Sequence, residues 1–166
     1  MGIRFKFFPQ HDIMDCGPAC LKMVADYYGK TYSLDYLREQ SFLNREGTSL
    51  LSMNGAAEKL GFRTVMAKLS LCKLVEDGPL PCILHWNQEH FVILSQIKKS
   101  NSLFNKLSSK KNIVKFTIAD PAHGIVTIDE QTFKKAWIST SDERGIALLL
   151  EPSPDFYTQQ GIPENK

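Results

Sequence analysis

Gln10 to Gly29 reads QHDIMDCGPACLKMVADYYG, and the spacing of its apolar residues decides how the chain starts to fold. Cys20, Leu21, Met23, Val24 and Tyr27 recur with helical period until Gly29 stops the run. Asp15 is a good N-cap type, and Pro18 fits a first turn whose N–H groups lack intrahelical partners. A helix over Asp15 to Tyr28 is therefore predicted. Cys16 then stands at its N-terminus. The thiolate is the nucleophilic form of cysteine, and a helix N-terminus is one of the settings that favours it. Gly17 keeps the backbone beside the sulfur open, and Gln10 puts a side-chain amide six positions ahead of it. The competing reading of any cysteine is a small buried core residue. Cys20, Cys72 behind an N-cap at Ser70, and Cys82 in a strand-like run keep that reading.

Working outward, two further helices are predicted. One runs from a Ser33 cap to about Gln40, and one from Thr48 to Leu60 is closed by Gly61. After Gly61 the period shortens. Strand-like runs follow at Phe62 to Leu69, Cys82 to Trp86, Phe91 to Ile97, Ile113 to Ala119, Ile125 to Ile128 and Ile146 to Leu150, with a short helix after Asp129 carrying Phe133 and Trp137. Helices followed by mostly adjacent strands predict an α+β domain with an antiparallel sheet. From Lys98 to Lys115 there are six lysines and no acid, which reads as an exposed hairpin loop. One folded domain over 1–151 is expected, with the Pro-rich stretch 152–166 as a linker or tail.

With 166 residues, 43% apolar and 23% charged, the chain has the size and composition of one globular domain. A net charge of +2 gives no polyelectrolyte signal, so nucleic acid is not an expected partner. No apolar run has the length of a membrane span. Four cysteines without a secretion signal argue for a reducing compartment, and the expected location is cytoplasmic.

A cysteine hydrolase needs a base near the sulfur and an acceptor that orients the base. His90 opens the run HFVIL after the polar turn Asn87 to Glu89, which puts its ring at a sheet rim. His85, ending the preceding strand, is the reserve. His11 lies in the approach to the motif, and His123 in the turn PAHG. Asp120 ends the run IVKFTIAD ahead of Pro121. If the two flanking strands pair as a hairpin, His90 and Asp120 share one edge, although turn chemistry alone also explains an aspartate there. Gln10 is a candidate donor to a carbonyl oxygen that turns negative during attack.

QHDIMDCGPACLKMVADYYG, GTSLLSMNGAAEKLGF, HWNQEHFVIL, IADPAHG and LLLEP together resemble the cysteine peptidase domains that stand at the N-terminus of peptidase-containing ABC transporters. Those domains cut bacteriocin and pheromone precursors after a double-glycine leader. The resemblance implies a papain-like fold with Cys16 as nucleophile, His90 as base, Asp120 as its orienting group and Gln10 as the oxyanion-hole amide. It also implies no metal and no cofactor for the domain itself, ATP being needed only by an attached transporter. The implied partners are the leader segment of a precursor, read as an amphipathic helix, and the transmembrane and ATPase parts of the transporter. The implied place is the cytoplasmic side of the bacterial plasma membrane. The lysine stretch is longer than the pattern expects. Two other readings stay open: a catalytically silent leader-binding module, and a zinc module built on Cys16, Cys20, His85 and His90.

Overall fold

The computed structural model describes residues 5–41, 49–101, 112–159 and 161–162. Three helices come first: α1 (Cys16–Tyr27), α2 (Leu34–Ser41) and α3 (Leu50–Leu60). Ser33 opens α2, its Oγ accepting from the N–H of Tyr36 at 3.1 Å. The expected opener of α3, Thr48, lies outside the described residues. Ser49 does the work in a reciprocal box, accepting from Ser52 N–H while the Ser52 hydroxyl accepts from the N–H of Ser49. Asp15 departs from expectation. It occupies the N-cap position of α1 but makes no side-chain cap bond, because its carboxylate is committed elsewhere. Gly61 ends α3 with φ of 102°, and a Cβ there would lie 2.4 Å from the backbone N of Phe156.

Six strands follow: β1 (Phe62–Ser70), β2 (Cys82–Trp86), β3 (His90–Asn101), β4 (Asn112–Asp120), β5 (Gly124–Asp129) and β6 (Arg144–Pro152). They form one sheet in the order β1-β6-β2-β3-β4-β5, every neighbouring pair antiparallel. The predicted α+β class and all six strand-like runs are recovered. The lysine stretch differs from its reading as pure loop. Lys98 pairs with Lys115 and Lys99 with Val114, so both strands run on into it, and 102–111 lie outside the described residues.

The last strand sits in mid-sheet, between β1 and β2, so the C-terminal part of the chain closes the fold. Two apolar layers cover the two faces. On one, α1, α2 and α3 pack through Leu21, Val24, Leu37 and Met53 onto Ile83, Phe91, Ile93 and Leu148. On the other, α4 (Leu71–Asp77) and α5 (Glu130–Trp137) cover Leu84, Trp86, Val92, Phe116 and Ile118. There Phe133 stacks on Phe116 with ring centroids 4.1 Å apart, and Trp137 donates its indole N–H to the carbonyl of Ile146 at 3.1 Å. A bulge between Leu94 and Gln96 makes Leu94 and Ile97 share this face despite a spacing of three.

The stretch expected as a linker is corrected at its start. Pro154–Thr158 forms a short helix, α6, and Phe156 is fully buried against Phe62 with ring centroids 4.6 Å apart. The N–H of Ser153 also bonds the carbonyl of Gly61 at 2.9 Å. An aromatic anchor among prolines and polar residues outweighed their linker-like composition.

Candidate active site

Because β3 and β4 are antiparallel, the start of one and the end of the other lie at the same rim. His90 and Asp120 meet there, Nε2 to Oδ1 at 2.7 Å. Pro121 stops β4 and turns the chain, with the N–H of His123 returning to the carbonyl of Asp120 at 3.1 Å. The turn also holds the carboxylate. Ala122 N–H donates to Oδ1 at 2.9 Å, and His123 Nδ1 lies 3.0 Å from Oδ2. Burial alone would push the Asp120 carboxyl up, but these donors and the His90 charge hold it below its ordinary range.

Cys16 reaches the same rim as the first residue of α1, 8% exposed. One turn further, Cys20 sits flush against the sheet, its Sγ donating to the carbonyl of Phe91 at 3.4 Å, which docks α1 on the beginning of β3. Burial pushes the Cys20 thiol well up, as expected of a packing residue. His90 is thus gripped from two sides. Burial of its ring favours the neutral form, but hydrogen bonds and charge from Cys16 and Asp120 outweigh that and raise its pKa to about 9. Since Nε2 faces Asp120, Nδ1 is the ring nitrogen left for the sulfur.

The structure separates the other histidines. His85 packs its ring on Phe91, centroids 5.3 Å apart, and burial lowers its pKa. His11 is exposed. Among the described residues no three His, Cys, Asp or Glu side chains are grouped as a metal ion would need.

Gln10 is tied to the site through its backbone, its N–H donating to the carbonyl of Pro121 at 3.0 Å. Its side-chain Nε2 donates to the carbonyl of Asp12 at 3.1 Å, and Oε1 is enclosed with no hydrogen-bond partner among the described residues. Two contacts went unforeseen in the sequence. One is His123 on Asp120, signalled only by a spacing of three across a proline turn. The other is Arg38 of α2, which grips Asp15 through Nε to Oδ1 at 2.8 Å and through a second bond to Oδ2. Asp15 is almost fully buried, and the N–H of Asp12 also bonds it at 3.0 Å. This ion pair explains why Asp15 does not cap: its carboxylate pins the residue before Cys16 to α2.

Comparison with known proteins places the chain in a family. The colicin V secretion/processing ATP-binding protein CvaB of Escherichia coli is 32% identical over 156 residues, which is 94% of this chain and 19% of that protein. The transport/processing ATP-binding protein ComA of Streptococcus pneumoniae is 32% identical over 157 residues, 89% of this chain and 19% of that protein. The chain thus spans about a fifth of the length of these curated relatives. Among solved structures, a double glycine motif protease from an AMS/PCAT transporter in complex with its leader peptide superposes with a TM-score of 0.75 at 29% identity, covering 91% of this chain and 94% of that one. The peptidase domain of Streptococcus ComA gives 0.70 at 30% identity, covering 90% and 100%. No helix among the described residues is long and apolar enough to cross a membrane. The architecture is the papain-like one. The Peptidase C39 family model matches residues 4–155, so this chain is a cysteine peptidase belonging to the Peptidase C39 family.

Proposed function

We propose that this domain cuts a precursor peptide behind a Gly-Gly pair at the end of its leader, as the peptidase part of a processing and export protein like its relatives. Cys16 is the nucleophile. Its thiolate adds to the carbonyl carbon of the second glycine, and the oxygen that becomes negative is held by the backbone N–H of Cys16 and the amide of Gln10. Gln10 has one amide hydrogen committed to Asp12, which leaves the second for this oxygen. The imidazolium of His90 gives its proton to the departing amine as the C–N bond breaks, leaving the leader as a thioester on Cys16. Water then adds to the thioester with His90 as base, releasing the leader carboxylate and regenerating the thiolate. Asp120 fixes the ring and favours its charged form.

The observation that carries this reading is the His90 ring held between Cys16 and the Asp120 carboxylate, raised to a pKa of about 9. An imidazolium that survives at neutral pH can face a thiolate and protonate a leaving amine. A relative solved with its leader peptide bound supports the substrate class.

The test incubates the purified chain, and its Cys16→Ala variant, with synthetic precursors carrying Gly-Gly, and locates the cut by mass spectrometry. Cleavage after the second glycine by the parent and none by the variant, with leader affinity retained, is expected. Undiminished turnover by the variant would end the mechanism, and tight leader binding without any cleavage by the parent would make the chain a recruiting module.

A further inference from the structure

We propose that His123 is a positioning residue for the peptidase reaction, acting on His90 through Asp120. The inference rests on the reading of Asp120 as the orienting group and adds to it a second imidazole on the same carboxylate.

The Asp120 carboxylate has one oxygen turned to each histidine. Oδ1 meets His90 Nε2 at 2.7 Å and also accepts from Ala122 N–H at 2.9 Å, while Oδ2 faces His123 Nδ1 at 3.0 Å. The last torsion of an aspartate is broad, so donors on one oxygen alone leave the carboxylate plane free to swing. A donor on the second oxygen fixes that plane, and with it the direction from which Oδ1 receives the His90 ring. The Asp120 side chain is 12% exposed and that of His123 is 77% exposed, so the second imidazole closes the solvent side of an otherwise enclosed carboxylate. The arrangement is local. His123 is the fourth residue of the turn that Asp120 starts, with its own N–H on the carbonyl of Asp120, and the carbonyl of Pro121 also receives the N–H of Gln10. One four-residue turn therefore orders the orienting carboxylate and the approach segment that carries the oxyanion amide.

The experiment is a double-mutant cycle on the full chain, read with a peptide substrate that carries Gly-Gly before a fluorogenic amide. His123→Ala is expected to lower kcat by about 3- to 10-fold with KM unchanged, the size of one partly exposed hydrogen bond. His123→Asn keeps a short donor in the turn and is expected to recover most of the loss. In an Asp120→Ala background the His123→Ala change is expected to do nothing further. An unchanged kcat in His123→Ala, a loss not recovered by asparagine, or an equal loss in both backgrounds each overturns the inference. If Asp120→Ala itself leaves kcat intact, the orienting role of Asp120 fails and the inference falls with it. If Asp120→Ala is severe and His123→Ala silent, only the inference fails. Thermal melts of each variant separate these outcomes from unfolding.

Discussion

The two faces of the sheet differ in how their layers are assembled. The layer under α4 and α5 is aromatic and mostly contributed by the second half of the chain, with Trp86, Phe116 and Trp137 each packed on Phe133. The layer under α1 to α3 joins the front of the chain to β3, β4 and β6, and it alone contains Cys16. Its rim carries the polar network: Arg38 on Asp15, Asp120 between two histidines, Gln10 on Pro121. One face supplies a stiff backing, and the other brings a thiol from the front of the chain to an imidazole about seventy residues away.

That contrast breaks if chemistry and stability respond alike on both faces. Cys16→Ala should abolish turnover, by at least about 10⁴-fold, since removing the proposed nucleophile leaves only binding and oxyanion stabilisation. Its melting temperature should stay close to the parent's, and a large drop would show that the sulfur is structural. Phe133→Ala on the opposite face should do the reverse. Emptying that stacked core position costs about 3–5 kcal/mol in chemical denaturation, with kcat per folded molecule unchanged.

Asp120→Asn sharpens the comparison at the rim. It should lower kcat by about 10²-fold, within the span for a group that serves an acid–base residue. His90 has a raised pKa, so turnover should fall on the alkaline side near pH 9, and losing the Asp120 charge should move that limb to lower pH. The sign for folding follows: this group's stabilisation is complete below the unfolded value of 6.5 and disappears as pH rises through about 9. A limb that stays in place in Asp120→Asn would detach the carboxylate from His90. A smaller effect is expected from Arg38→Ala. It strands a buried carboxylate next to Cys16 and should cost about 2 kcal/mol, less than for a fully buried pair because Arg38 is partly exposed. Turnover should also drop, because the same carboxylate anchors the segment ahead of the thiol, and a loss of stability with full activity would confine the pair to folding.

Local chemistry was legible in the chain itself. Helical spacing from Cys20 to Tyr27, caps at Ser33 and Ser70, and the alternation after Gly61 mark elements whose driving forces act over a few residues, and these elements form as read. The turn at Pro121 was legible for the same reason, because proline has no N–H to continue a strand ladder and disfavours the conformations that would carry β4 further. Composition misled where one side chain outweighed its neighbours, as when Phe156 drew a proline-rich stretch back onto the core. Asp15 was misread because an N-cap is a local preference that a partly exposed arginine, twenty-three positions on, overrode.

Residue types and short spacings thus determined the helices, the strands, the placement of Cys16 at a helix start and the candidates for its partners. The sequence put His90 ahead of His85, and the tertiary structure supplied the contact, because only the pairing of β3 with β4 brings the His90 ring onto Asp120 while His85 packs on Phe91. It also brought His123 and Arg38 onto the two carboxylates, since a side chain's partner is set by packing across elements and leaves no periodic trace along the chain.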